Sequence, residues 1–523
     1  MDKKVLIAIV LSIAVLLVYP YALKTWFPQY AGKGAPSGKS EEVAVKVTED
    51  AAGVGRVVSE GPSASTGAAA EGRKAPEKAR ASEKITEILT TVETPLVRAV
   101  FSNIGGSVKS WELKDYRATK EKGSPVVNLA ETITTARSLS TILSDGVREM
   151  VVFSPSTREI TIDGDETAEL VYTGRTSNGI LFEKTYRFSA SAYMVDTTVT
   201  VTNPTDRLLS ASVETTMASA HNGKDRFGYH TGALVRASDE VTRYKPGDAA
   251  VRNGGTPDWI GMEDKYFLAV ILPERDAKVA WRVDARGEDS SSALVRVPIE
   301  LLPDARATVS FSSFIGPKKY GLLSKLERSL VESIQFGWFS FLAKPLLVTL
   351  NFFQRFVVNY GIAIILLTVL IKIIFYPLTK KSLKSMKDMQ RMQPQMALIK
   401  EKYKDDKQAM NKEMMELYKR HKINPLGGCL PMLLQIPVFI GLYEALYVAI
   451  ELRHAPFFLW ITDLSSKDPY YISPLLMGGS MFLQQKMSPT SADPTQAKMM
   501  MFMPLIFTVM FLKFPSGLVI YWL

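Results

Sequence analysis

Lys372 is the residue whose type and position most plainly call for chemistry. It sits inside the run Ile364-Ile365-Leu366-Leu367-Thr368-Val369-Leu370-Ile371-Lys372-Ile373-Ile374-Phe375. An ionised lysine at such a depth in a bilayer costs at least a few kcal/mol unless it faces water or a partner. The plainer reading is snorkelling: on a helix Lys372 stands only ~8 Å from Pro377, which a long side chain nearly covers. The other reading is a site. Thr368 lies one turn earlier on the same face and Gln435 in the next apolar segment, so polar groups recur where lipid-facing residues should be apolar. Glu444 offers itself as a counter-ion, but depth argues against it. Counted from the inner end, Glu444 stands ~22 Å up its helix and Lys372 only ~8 Å up its own. Glu444 is therefore expected near the outer interface, leaving Lys372 to water or a client.

No soluble catalytic centre accompanies this charge. The four histidines, His221, His230, His421 and His454, lack metal-ligand spacing with cysteine or carboxylates, and a polar loop is the preferred reading of the first two. Neither a Walker loop nor a dinucleotide fingerprint is present. No enzyme activity, cofactor or metal is expected. The net charge of +10 suggests anionic partners, yet zinc spacing, RNA-binding aromatic signatures and a basic zipper are all missing, so sequence-specific nucleic-acid binding is not expected. A single cysteine, Cys429, excludes an intrachain disulfide framework, so an exported domain must be stable without one.

The elements that must position Lys372 follow from composition and period. Residues 1–24 carry Lys3 and Lys4 before the apolar run Val5–Val18, which ends in Tyr19-Pro20-Tyr21 rather than at a small-residue cleavage site. An uncleaved signal anchor with its N-terminus in the cytoplasm is expected. Residues 25–84 are largely Ala, Gly, Ser, Glu and Lys, with no aromatic residue from Ala31 to Val100, and read as a flexible linker. Residues 85–316 alternate with period two, as at Val199/Val201, Val279/Trp281/Val283 and Val309/Phe311. Asn103-Ile104-Gly105-Gly106, Asp163-Gly164, Asn203-Pro204 and Asn253-Gly254-Gly255 supply turns between such runs, so a large antiparallel β-sandwich is predicted on the outer side of the inner membrane. In residues 317–358, Leu322, Leu326, Leu330 and Val331 form a helical stripe ahead of the aromatic stretch Phe336, Trp338, Phe339 and Phe341 to Pro345. Recurrent charges favour an amphipathic helix on the membrane surface over a span.

Residues 359–523 hold five apolar segments: about Tyr360–Leu378, Cys429–Ile450, Tyr470–Phe482, Met499–Leu512 and Phe514–Leu523. The third and fourth are short for a ~30 Å core and are interrupted by Pro474, Gly478, Gly479 and Pro504. The last ends within an apolar run, which reads as a truncated span. Between the first two lies a basic hairpin, residues 380–425, with thirteen Lys and Arg against six Asp and Glu, a net of +7. The loop Glu451–Pro469 nets −1. A cytoplasmic hairpin and an external loop satisfy the positive-inside rule and agree with an N-in anchor. Leu383, Met386, Met389, Met392, Met396, Ile399 and Tyr403, then Met410, Met414 and Leu417, are spaced three or four apart and predict two helices. The hairpin's lysines suit anionic lipid headgroups or a docking partner. Methionines there and across Met477–Met510 suit surfaces that accept many sequences, or simply fill a core.

Six pieces carry a resemblance: Tyr376-Pro377-Leu378-Thr379 with Gln393-Pro394, Asn424-Pro425-Leu426-Gly427-Gly428-Cys429, Gln435-Ile436-Pro437, Asp468-Pro469-Tyr470-Tyr471-Ile472, Gln485-Lys486-Met487-Ser488-Pro489 and Phe514-Pro515-Ser516-Gly517-Leu518. The chain resembles the YidC family of membrane protein insertases, related to mitochondrial Oxa and chloroplast Alb proteins, in its Gram-negative form with a large periplasmic domain. The resemblance implies a multi-domain, polytopic α-helical membrane bundle (an N-terminal anchor plus a five-helix core) carrying a periplasmic antiparallel β-sandwich akin to sugar-processing folds. It implies a groove open to cytoplasm and lipid and closed outside, lined by Lys372, Thr368, Gln435, Tyr521 and Trp522. Lys372 stands where the family usually has arginine, which keeps the charge but loses the bidentate fork. Lys380, Lys381, Lys384, Lys387 and Arg391 are the residues expected to contact clients or a ribosome from the cytoplasm. The implied partners are nascent membrane proteins, the Sec translocon with its accessory subunits, the ribosome and anionic lipids. A basic cytoplasmic tail is implied beyond the last span.

Two other classes fit parts of the sequence. A transporter or channel would also place polar residues and interrupted helices in the membrane, but inverted repeats are not apparent. An envelope sugar receptor would use the sandwich, but five further spans and a basic hairpin exceed what an anchor requires.

Overall fold

A computed structural model describes residues 86–523 except 136, 221–222, 225–228, 246, 288–289, 422–429 and 488–493. The expected signal anchor and the whole of the expected linker lie outside the described residues, as do His221 and Cys429.

Residues 89–317 are β-rich. A ten-stranded sheet is centred on Arg306–Pro317, which pairs antiparallel with Met194–Thr202 on one side and Phe267–Pro273 on the other. A six-stranded sheet is centred on Leu209–Ser219, paired antiparallel with Ser291–Leu301. The two pack face to face, with Trp259–Glu263 and His230–Ala237 of the larger sheet lying on Ser291–Leu301 of the smaller. Alternation places the predicted residues inward: Val199, Val201, Val279, Trp281, Val283, Val309 and Phe311 are all buried. A third, five-stranded sheet was not foreseen, and it holds one parallel pair, Leu89–Glu93 with Glu159–Thr161. Trp111 ties this sheet to the ten-stranded one, its indole N–H donating to the Ile315 carbonyl at 3.1 Å.

Turn chemistry also holds where glycine is needed. Gly105 and Gly106 adopt φ of 72° and 56°, and a Cβ on Gly105 would come within 2.9 Å of the Ser140 Cβ. That turn aims its carbonyls inward at Lys184. The fully buried ammonium donates to Gly105 at 3.2 Å, Gly106 at 3.1 Å and Leu139 at 2.6 Å, so each of its three N–H groups has an acceptor. Asn253 and Gly254 differ from expectation. They belong to the strand Asp248–Gly254, and the turn falls at Gly255, with φ of 105°.

The predicted helical stripe over Leu322–Val331 is not one helix. It is a single helical turn, Tyr320–Leu323, and a 3-10 turn, Leu330–Ser333, separated by Arg328 and Ser329 at φ of 58° and 53°. Contacts with the β-rich part outweigh local propensity here. The Trp259 indole donates to the Arg328 carbonyl at 3.0 Å, Arg243 to that of Ser333 at 2.8 Å, and Arg236 bonds Glu332 at 2.9 Å. Of the predicted stripe Leu330 is buried while Leu322, Leu326 and Val331 are half-buried, and Leu323, outside the stripe, is buried instead.

Among the described residues eight longer helices follow: α1 (Ser340–Val357), α2 (Tyr360–Arg391), α3 (Gln393–Lys402), α4 (Lys407–Arg420), α5 (Leu430–Val448), α6 (Ile472–Met487), α7 (Pro494–Phe511) and α8 (Ser516–Trp522). The aromatic half of the predicted surface region is α1. It buries Ala343, Leu347 and Leu350 and exposes Phe341, Phe352 and Phe356.

Three boundaries correct the sequence reading. α2 does not stop near Leu378 but runs through Pro377 to Arg391, so Lys372 and the basic residues that follow share one helix. The hairpin accordingly divides into the end of α2 plus α3 and α4. Its small core of Met392, Met396 and Leu417 uses residues of the predicted spacing. Gly478 does not break α6. It lets α7 approach, since a Cβ there would overlap the Thr508 hydroxyl. Pro504 is likewise continuous within α7. Among the described residues α2 alone is long and apolar enough to cross a membrane, with Leu434–Val448 and Met501–Phe511 as shorter apolar helices.

Candidate functional site

The candidate site lies where α8 packs against α2, α5 and α6. Asn359 starts α2: its side-chain oxygen accepts from the amides of Gly361 and Ile362 at 2.9 and 3.2 Å, satisfying donors that a helix N-terminus leaves open. From there Ala363, Ile364, Leu367 and Ile371 face the bundle and are buried. Ile365, Val369, Ile373 and Ile374 are exposed.

Lys372 is exposed among those apolar side chains, without an ion pair or hydrogen bond to other described residues. Thr368 donates its hydroxyl to the Ile364 carbonyl of its own helix at 2.8 Å. That bond leaves its oxygen as an acceptor but places no second element on it. Gln435 and Tyr521 do meet: the Gln435 amide donates to the Tyr521 hydroxyl, joining α5 to α8. Trp522 stands beside them with its ring 4.8 Å from Phe439 and 5.5 Å from Phe511. Gln435, Tyr521 and Trp522 are therefore one cluster, whereas Thr368 and Lys372 are held by α2 alone. Lys380, Lys381, Lys384, Lys387 and Arg391 are all exposed on the lower half of α2. Lys380, Lys384, Lys387 and Arg391 follow one another at three- and four-residue steps and so share a face.

Glu444 is not the counter-ion of Lys372. Its carboxylate lies against the backbone amides of Trp338 and Phe339, where α1 begins. Those amides stand ahead of the first turn of α1, where N–H groups have no acceptor within the helix and are open to one from another element. Gly337, at φ of 63°, is required in front of it, since a Cβ would run into the carboxylate. The depth argument from sequence thus separated the pair correctly.

Sequence reasoning missed the aromatic surroundings of the cluster. Gln435, Phe439, Tyr443 and Tyr447 recur every four residues, a signal available from the sequence alone. Tyr443 stacks on Tyr447 at 5.6 Å and meets Phe514 at 5.6 Å; Phe514 lies 5.1 Å from Phe511. It also missed Glu451, just beyond α5. Both Glu451 carboxylate oxygens are shielded from solvent, and burial pushes its carboxyl above the ordinary range. Among the described residues no three His, Cys, Asp or Glu side chains gather as metal ligands.

What this arrangement can do is bind rather than react. It offers an exposed cation within an apolar helix face and, separately, an amide–hydroxyl pair backed by aromatic rings.

Residues 352–523 match the family model described as 60Kd inner membrane protein, and residues 89–349 match that of the YidC periplasmic domain. A membrane protein insertase YidC from Syntrophus aciditrophicus is 43% identical over 542 residues, covering 100% of this chain and 97% of the relative. One from Citrifermentans bemidjiense is 44% identical over 444 residues, covering 83% and 82%. Among solved structures, an active YidC insertase with its first transmembrane domain resolved is 17% identical, covers 84% of this chain and 92% of its own, and superposes with a TM-score of 0.35. A galactose mutarotase-like protein from Lactobacillus casei covers 43% of this chain and 99% of its own, with 10% identity and a TM-score of 0.28. On full-length identity with its curated relatives, the chain belongs to the YidC family of membrane protein insertases, which are insertases and chaperones rather than enzymes.

Proposed function

We propose that the protein moves transmembrane segments of client proteins from the cytoplasm into the inner membrane along the face that Lys372, Thr368, Gln435, Tyr521 and Trp522 form. It acts alone on small clients and beside the Sec translocon on larger ones. The observation that carries this reading is Lys372, an exposed cation on the longest apolar helix without an ion-pair partner among the described residues. A charge so placed requires water or a visiting group of opposite sign. A client whose leading segment is acidic supplies one. Its apolar segment then partitions into lipid, so no nucleotide is consumed. Water along the same face reduces the cost of carrying the client's polar groups, each of which costs several kcal/mol when unsatisfied in hydrocarbon.

Topology follows from charge. The basic hairpin stays in the cytoplasm, where Lys380, Lys381, Lys384, Lys387 and Arg391 meet the client, a translating ribosome or anionic headgroups. The β-rich part stands in the periplasm, and α1 lies along the outer interface with Phe352 and Phe356 toward lipid. The deciding experiment depletes the protein and follows a short two-span client. Its accumulation outside the membrane is expected, and normal insertion without the protein rejects the reading. Photo-crosslinkers at Lys372, Gln435 and Trp522 should trap the same nascent chain.

A further inference from the structure

One contact between the β-rich part and the helices has no role in the scheme above. Lys265, in the turn between the strands Trp259–Glu263 and Phe267–Pro273, holds its ammonium 3.4 Å from the ring centroid of Tyr447, near the outer end of α5. The turn is fixed from both sides. Asp264 accepts from the amides of Tyr266 and Phe267 at 2.7 and 2.6 Å. Arg453, just beyond α5, stacks over Tyr266 and Phe267 at 5.9 and 5.8 Å and donates to the Ala118 carbonyl at 3.0 Å.

Below Lys265 the aromatic rings form an unbroken column. On α5, Tyr447, Tyr443, Phe439 and Gln435 are each four residues apart and so lie on one face. Phe514, Phe511 and Trp522 fill the opposite side, with successive rings 5.1–5.6 Å apart. The column ends on the bonded pair Gln435 and Tyr521. Tyr447, Phe511 and Tyr521 are buried. At 1.5 Å per residue the twelve residues from Gln435 to Tyr447 span ~18 Å, more than half of a ~30 Å hydrocarbon core. Such a column is a water barrier between the polar cluster and the outside, and its upper ring is held by a cation from another part of the chain.

We infer that Lys265 is a positioning residue through which the β-rich domain clamps the aromatic column shut and seals the client face against the outer side. This rests on the reading of Gln435, Tyr521 and Trp522 as lining that face. An ammonium over a ring is attracted by its quadrupole without hydrogen-bond geometry, so the clamp tolerates small sliding of the domain while keeping Tyr447 in place.

The test uses the full chain with Cys429→Ser and Gln435→Cys as a reporter, in sealed vesicles of known orientation. Labelling by a membrane-impermeant maleimide is timed from each side, with no client present, so the result is independent of insertion activity. From the outer side, Lys265→Met is expected to speed labelling by about tenfold, the scale of one half-buried cation–π contact, while Lys265→Arg keeps the parental rate. Tyr447→Leu should leak and Tyr447→Phe should not, which decides the question if Lys265→Met fails to fold. Equal outer-side rates in Lys265→Met and its parent overturn the inference. So does an equal rise from both sides, or an arginine variant as leaky as methionine.

Discussion

The β-rich part and the apolar half of α2 treat charge in opposite ways. In the β-rich part, Glu263 and Lys318 are fully buried and bonded to each other, and Arg243 takes the second Glu263 oxygen at 2.6 Å. Lys318 donates as well to the Asp264 carbonyl at 2.7 Å. Lys184, also buried, spends all its donors on backbone carbonyls. In the helical part, Lys372 stands among exposed isoleucines and valine with no such arrangement. A buried ion that is fully paired fixes architecture, because removing either side strands the other. An exposed ion on an apolar face does nothing for the fold and gains its partner only when something arrives.

The sharpest way to break this comparison is to strand one of the paired ions. Lys318→Met leaves Glu263 buried with Arg243 alone and should cost about 3 kcal/mol, the lower end for a broken buried pair. Denaturant unfolding of the full chain in detergent measures it. Glu263→Leu together with Lys318→Met should recover most of the loss. A pH dependence accompanies it. Burial pushes the Glu263 carboxyl up, but Arg243 and Lys318 overcome that and hold it below its ordinary value of 4.5. Its contribution is therefore present above about pH 4.5 and is lost as pH falls through the lower folded value. Lys372→Met, by contrast, should leave unfolding within ~0.5 kcal/mol of the parent, as for surface changes.

The same lysine should dominate function. Lys372→Ala is expected to slow insertion of clients with acidic translocated segments by about tenfold, or ~1.4 kcal/mol, and to spare clients with neutral ones. Lys372→Arg should match the parent, because attraction needs the charge and not the lysine. Equal defects for acidic and neutral clients would move Lys372 from recruitment to structure.

Much of this contrast was legible in the sequence, and for identifiable reasons. Period-two runs located the core strands because one inward side chain in two is a local signal. Lys372 stood out because a single charge in a run of twelve residues, ten of them apolar, needs no partner to be noticed. The connector failed because Trp259, Arg243 and Arg236, far away in sequence, hold Arg328, Ser333 and Glu332 out of a helix that their own pattern favours. The segment was bounded at Leu378 because its apolar run gives way there to basic residues, whereas the helix itself continues to Arg391. The parallel pairing of Leu89–Glu93 with Glu159–Thr161 in the third sheet and the contact of Lys265 with Tyr447 join segments far apart in sequence and have no local signature.

Glu451 tests whether the outer junction belongs with the architecture or with the apolar face. Its carboxylate is shielded from solvent beside Asn351 and Lys319, and desolvation raises its titration more than those neighbours lower it. A carboxyl raised in the folded state stabilises when protonated. That contribution is full below the ordinary carboxylate range and is lost as pH rises through the raised value. Glu451→Gln should therefore stabilise the full chain by about 1 kcal/mol at pH 8 and flatten the pH dependence, measured by unfolding across pH 4–8. A variant less stable than the parent at pH 8 would mean that the carboxylate is paired in solution.

The smallest effect is the most informative about water. Tyr521→Phe removes the hydroxyl that accepts from Gln435. In a dry core this strands an amide, at a cost of roughly 1–3 kcal/mol, whereas in a hydrated groove water replaces the hydroxyl and the cost falls below ~0.5 kcal/mol. Tyr186→Phe is the internal standard, because Tyr186 donates to the Gly106 carbonyl in a fully buried part of the β-rich domain. Denaturant unfolding of both variants gives the ratio directly. A Tyr521→Phe loss well below that of Tyr186→Phe is expected if the client face is wet. Equal losses would make the Gln435–Tyr521 bond a structural clasp and place the water path, with Lys372, on the other face of α2.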